Sequence, residues 1–124
     1  MTITEAITRA DELKPGNDFD EGTKIRWLSE LDHKIYEEIV KTHEGDGEIE
    51  FSGYGEDTAG DVVLLAADAY AELYPTWLCA KIDLHNSEIA KYNNSITEFN
   101  ALWQAFERWY NRTHMPKTAK IRYY

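Results

Sequence analysis

The sequence predicts a mainly α-helical domain, a four-helix bundle-like arrangement interrupted by one long loop, and three observations carry that expectation. Apolar residues recur at spacings of three and four in four separate stretches. Helix-start and helix-stop residues punctuate those stretches. A glycine- and acid-rich segment separates the second stretch from the third. The 124 residues give room for one domain and one core, and 4 Trp, 8 Tyr and 4 Phe supply ample surface to bury. A single helical domain is expected over residues 1–117, followed by a basic C-terminal tail at 118–124.

The first helix is expected to start at Thr2, whose side chain can cap it, with Glu5 completing a capping box. Ile3, Ala6, Ile7, Ala10 and Leu13 form its apolar face, and Pro15-Gly16-Asn17-Asp18 ends it. The second helix is expected from about Asp20 to His43, with the stripe Ile25, Leu28, Leu31, Ile35 and Ile39 widened by Trp27, Tyr36 and Val40. Glu30 with Lys34, and Glu37 with Lys41, are spaced for i,i+4 ion pairs, each contributing about a few tenths of a kcal/mol.

From Glu44 to Gly60 the pattern changes. Glycines 45, 47, 53, 55 and 60 are mixed with six acidic residues, and Ile49 and Phe51 alternate with acids. Glu48–Tyr54 can therefore form a short strand or hairpin, which would be marginal without a pairing partner. A long exposed segment inside a small domain is usually functional or disordered, so this loop is the leading candidate for an interaction surface.

The third helix is expected from near Asp68 to about Tyr92, with Pro75 either kinking it or lying in its first turn. Asn93-Asn94 then break the pattern, and Ser95 with Glu98 forms a second capping box for a fourth helix ending near Thr113. Its stripe reads Ile96, Phe99, Trp103, Phe106 and Tyr110, broadened by Leu102 and Trp109. The short connection makes the last two helices antiparallel neighbours. Pro116 stops further helix, and Lys120–Tyr124 is expected to be extended.

Few residue constellations suit catalysis, and the chain is expected not to be an enzyme and to hold no cofactor or metal. Glu30-x-x-His33 has the spacing of a di-iron ligand unit, but no second copy exists, and polar residues on an amphipathic helix account for it. The glycine-rich segment has no lysine for a phosphate loop and lacks the alternate-position oxygens of a calcium loop. Cys79, the single cysteine, excludes an internal disulfide, and its apolar helix favours a packing thiol over a nucleophile. Residues 1–10 have neither the basic start nor the apolar core of a signal peptide, and no run approaches the roughly 20 apolar residues of a membrane span.

The formal net charge of −10 is unevenly distributed. Residues 1–60 hold 6 basic and 16 acidic groups, whereas 108–124 hold Arg108, Arg112, Lys117, Lys120 and Arg122 and no acid. An acidic body repels a nucleic-acid backbone, so sequence-specific nucleic-acid binding is not expected. A basic end on an acidic body is suited to meeting the acidic part of another copy or of a partner; the plainer alternative is a solvated terminus.

Several runs carry a family likeness. They are Lys24 to Ile39 (KIRWLSELDHKIYEEI), Ala80 to Leu84 (AKIDL), Lys91 to Ser95 (KYNNS), Phe99-Asn100, Phe106, and Trp109 to Pro116 (WYNRTHMP). Together, over roughly Glu21 to Lys117, they resemble a family of small prophage virion proteins from low-GC Gram-positive bacteria, similar to the head–tail connector (head-completion, adaptor) proteins of long-tailed phages. The resemblance implies a helical bundle with a long loop that orders or pairs on assembly. It implies a homo-oligomeric ring around the DNA channel, with portal and tail-completion proteins as partners, in the virion and, during assembly, in the host cytoplasm. Under that reading Glu48, Ile49, Phe51 and Tyr54 of the loop, with Arg108, Arg112, Lys117, Lys120 and Arg122 of the basic end, form the expected subunit or partner interface. The alternatives are another phage tail-assembly factor or a small acidic helical regulator of the anti-repressor kind.

Overall fold

A computed structural model describes residues 1–44 and 50–117. Four α-helices build the described part of the chain, which is mainly helical and bundle-like: α1 (Ile3–Leu13), α2 (Glu21–Ile35), α3 (Leu73–His85) and α4 (Ile89–Thr113). A π-helical turn, Tyr36–Val40, prolongs α2, and a 3₁₀ turn, Asp68–Tyr70, precedes α3. Among the described residues there is no sheet, only isolated antiparallel bridges between Thr2 and Val63 and between His43 and Pro116.

The helix starts are chemically specified. Thr2 caps α1 in a full capping box with Glu5, and the Asp20 side chain accepts the Thr23 N–H at the start of α2. The expected stripe of α2 lies inside: Ile25, Leu28, Leu31, Ile35 and Ile39 are all buried. The backbone N–H of Lys41 donates to the Tyr36 carbonyl, five residues back, which widens the last turn and lets the adjacent Ile39 and Val40 both face the core.

α3 is the central helix, buried on nearly every side, with Leu73, Tyr74, Leu78, Cys79 and Ile82 among its enclosed side chains. It lies along α4 and is packed by α1 and α2. A helix apolar all round has to sit at the centre of a small bundle. The expected helix from Asp68 to Tyr92 is therefore corrected at both ends. Pro75 occupies the first turn of α3, where its missing N–H costs nothing, but its ring excludes an α-helical carbonyl at Ala71, so the preceding turn is a separate 3₁₀ element.

The break between the last two helices falls at Asn86-Ser87-Glu88, not at Asn93-Asn94. Ser87 adopts a left-handed backbone (φ 59), and Asn86, Ser87 and Glu88 N–H groups close onto Ile82, Leu84 and Asp83 carbonyls. Ser95 is consequently inside α4 and does not cap it; its hydroxyl donates to Asp83 Oδ2 at 3.2 Å. The two helices are antiparallel neighbours as expected. Of α4's 25 residues only Phe99, Phe106 and Tyr110 are buried, so a broad face of this helix meets no other described element.

One expected ion pair is replaced. Glu37 and Lys41 meet at 3.2 Å, but Glu30 binds Lys81 of α3 (3.0 Å), leaving Lys34 to Glu38 (3.6 Å) and to the face of Trp103.

Candidate functional site

Segment 50–66 is held against α2 by a buried carboxylate. Asp32 is fully buried and occupies a position on the apolar stripe, four residues after Leu28 and three before Ile35. Its Oδ2 accepts the Tyr54 hydroxyl (2.6 Å) and the Leu65 N–H (3.1 Å), and its Oδ1 accepts the Tyr74 hydroxyl (2.6 Å). The Tyr74 oxygen in turn accepts the Ala66 N–H at 2.7 Å. Burial pushes the Asp32 carboxyl above its ordinary value, and the three hydrogen bonds only partly oppose that. The same burial and the neighbouring carboxylate push both tyrosine hydroxyls upward, so they act as donors.

The expected interface residues of the loop divide accordingly. Glu48 and Ile49 lie outside the described residues. Phe51 is half-buried, its ring against His33 (4.8 Å between centroids) and Tyr54 (5.0 Å), and Tyr54 is committed to Asp32. Glu50–Tyr54 is not a strand, which corrects the expectation for that stretch. Phe51 and Tyr54 both turn toward α2 instead of alternating, because Gly53 takes a left-handed backbone (φ 101) against the helix. A Cβ there would stand 2.9 Å from His33 Nε2 and 3.1 Å from Ser29 Oγ, so the close approach needs glycine.

The basic end gathers elsewhere. Arg108 and Arg112 are exposed on the last turns of α4, and Lys117 is exposed just beyond it. None of the three forms an ion pair among the described residues, whereas Arg9, Lys14, Lys24, Lys34, Lys41, Lys81 and Lys91 all do. Lys120 and Arg122 lie outside the described residues, as does the expected extended run to Tyr124. A clamp fixes this end to the π turn: Lys117 N–H donates to Thr42 O and Glu44 N–H to Met115 O, both at 2.8 Å. Buried His43 completes it, with Nδ1 2.7 Å from the Ile39 carbonyl and Nε2 2.7 Å from Asn111 Oδ1.

An acidic pole lies at the other end of α2. Asp20, Glu21 and Glu56 flank a shallow groove of ≈ 370 Å³ that also takes in Gly22, Ile25 and Thr58. Glu56 comes close to Gly22, which brings the loop's acid beside those of the helix start. The 15 residues of α2 and 5 of the π turn separate this pole from the His43 clamp by about 30 Å at 1.5 Å per residue.

The catalytic candidates are engaged otherwise. Cys79 is buried and its thiol is pushed up to about 11 by burial, which suppresses the thiolate. Glu30 is paired with Lys81 and His33 packs on Phe51; among the described residues no cluster of three His, Cys, Asp or Glu is placed to hold a metal ion. No described helix is long and apolar enough to cross a membrane. A second buried carboxylate, Asp83, pairs with Lys14 at 3.0 Å and ties α1 to α3. Sequence reasoning missed Asp32, Tyr74, Asp83 and His43. The available signal was a charged or polar residue inside an apolar stripe, and Asp32 shows it most clearly.

Comparison of the chain with protein-family models, with curated proteins and with solved structures finds no significant match in any of the three.

Proposed function

We propose that this protein is a structural subunit of a bacteriophage virion that joins the DNA-filled head, at its portal, to the tail. It assembles as a ring around the DNA channel. The observation that carries the reading is the placement, at the two ends of α2, of charged side chains that have no ion-pair partner among the described residues. Arg108, Arg112 and Lys117, without an ion-pair partner among the described residues, lie at the clamp end, and the acids Asp20, Glu21 and Glu56 at the other. A subunit with complementary ends forms heterologous contacts, and such contacts close into a ring when the rotation between copies permits. The resemblance of the Lys91–Ser95 and Trp109–Pro116 runs to small prophage virion proteins, a family similar overall to connector proteins, supports the same reading. A net charge of −10 would keep a passing duplex from adhering to the ring.

Electron microscopy of lysates from a host deleted for this gene tests the proposal. Heads that are filled or leaking DNA beside separate, finished tails are the expected result. Intact infectious particles would exclude a joining role and favour a regulator. Normal heads with no tails would favour a tail-assembly factor.

A further inference from the structure

We propose that the outward face of α4 is the surface on which a second copy docks, through that copy's Asp20–Glu21–Glu56 pole. The face is defined by the helix itself. At about 100° per residue, the positions opposite Phe99, Phe106 and Tyr110 include Asn93, Thr97, Asn100, Gln104, Arg108 and Arg112, all exposed. Alanines 90, 101 and 105 fill the gaps between them, and Glu98, at the edge, is the one acid of this face. That is an unusual face for a solvated helix in a chain with 23 acidic residues.

Helix propensity sharpens the point. Asn and Thr are poorer helix formers than Glu, Lys or Gln in a helix interior. A face selected only for solubility and helicity would carry Glu and Lys, as the exposed side of α2 and its π turn does with Glu30, Lys34, Glu37, Glu38 and the capping Lys41. The α4 face carries amides, small side chains and two arginines instead. Small residues permit close approach, amides offer hydrogen bonds without charge, and the arginines supply the positive end.

Charge selects the occupant. Lys117 extends the positive end past the helix, and it, Arg108 and Arg112 have no acidic partner among the described residues. The acidic groove at the start of α2 lies about 30 Å away along that helix, too far for a copy to satisfy itself. A second copy presents that groove to the face without strain. The acidic body argues against a nucleic-acid occupant, because a duplex would meet repulsion everywhere except on this strip. The inference rests on the ring reading only in taking the partner to be a second copy.

Two variants test it. Asn100→Glu/Gln104→Glu/Arg108→Glu makes the face acidic at exposed positions and improves helix propensity at the first. Glu21→Lys/Glu56→Lys makes the pole basic. Sedimentation velocity at high protein concentration and low ionic strength should show self-association of the native protein that weakens with salt. Each variant, shown folded by circular dichroism, should lose at least about tenfold in affinity, and a mixture of the two should recover it, because the acidic face of the first meets the basic pole of the second while the remaining face and pole are native. A native protein that stays monomeric, variants that associate as the native protein does, or a mixture that fails to recover would each overturn the proposal. Retention on duplex DNA by a monomeric native protein, lost in the first variant, would also overturn it and assign the face to a polyanion. The gene-deletion experiment reads the joining role separately, so blocked joining with a monomeric protein would remove this face and leave that role.

Discussion

Asp32 shows how one buried charge organises a loop that has no sheet to pair with. Its three donors reach it from Tyr54, Leu65 and Tyr74, so one carboxylate ties the segment from 54 to 66 to α2 and α3, beside the bond from the Tyr54 N–H to Ser29 Oγ (3.0 Å). Asp32→Asn keeps the shape but replaces one acceptor oxygen with an NH₂ group. If that group faces Leu65, the Leu65 N–H loses its partner. If it faces Tyr74, the Tyr74 O–H loses its acceptor and the hydroxyl oxygen meets a second donor beside the Ala66 N–H. The expected loss is about 1–3 kcal/mol, the cost of an unsatisfied buried polar group. The pH dependence gives a sharper reading. With its carboxyl raised above 3.8, the folded protein holds a proton on Asp32 at pH values where the unfolded chain has released it. Acidification from neutrality through that raised value toward 3.8 therefore favours the folded state at this site. The stability gap between native protein and Asp32→Asn should widen as pH falls from neutral; urea denaturation at several pH values measures it, and a gap that narrows would refute the account. Exposed acids common to both proteins cancel in that difference.

At the scale of elements, the sequence was most informative where local chemistry decides. Thr2 with Glu5, and the stripe from Ile25 to Ile39, specify α1 and α2 without help from the rest of the chain. The α3–α4 boundary was misplaced because two sets of turn-forming residues lie seven positions apart, Asn86-Ser87 and Asn93-Asn94. Propensity alone cannot choose between them. Burial does: Asp83 and Ile82 must face the interior with α3 ending directly after, and Ser95 reaches Asp83 only from inside α4. The π turn was not legible, and Asp32 was legible only as a charge inside an apolar stripe, since its partners Tyr54, Leu65 and Tyr74 are distant in the chain. Asn93→Ala/Asn94→Ala should stabilise the protein by about 1 kcal/mol, because both side chains are exposed in a helix that tolerates them only on account of its length and packing. A thermal melt measures this; destabilisation would mean that the amides hold the helix start in a way their exposure does not reveal.

Over the whole molecule, two electrostatic effects oppose each other. Surface ion pairs such as Arg9–Glu72 and Lys41–Glu37 are weakened by salt, but exposed pairs contribute only about 0–1 kcal/mol each. Self-repulsion from a net charge of −10 is relieved by the same salt. Repulsion should dominate, so the melting temperature should rise between about 0.01 M and 0.15 M salt, as the screening length falls from roughly 30 to 8 Å. A falling melting temperature would instead place most of the electrostatic stability in the ion pairs. The overall charge asymmetry was legible in the sequence. Its arrangement into two ends was not, because it depends on Glu56 folding back beside Gly22 and on the chain after α4 returning to His43.

The π turn leaves α2 with a residue to spare. Ile35 on one side and His43 on the other are fixed, by the core and by Asn111, and the five residues Tyr36–Val40 fill a stretch that a regular helix would span with one fewer. Removing exposed Glu38 should therefore relax the turn into ordinary α-helix with both anchors in place, and circular dichroism with a thermal melt should show the fold retained. The same deletion at Ser29 would rotate every later side chain by about 100° and carry Asp32 out of reach of its three donors. Along one helix, length variation is thus tolerated at one end and forbidden in the middle.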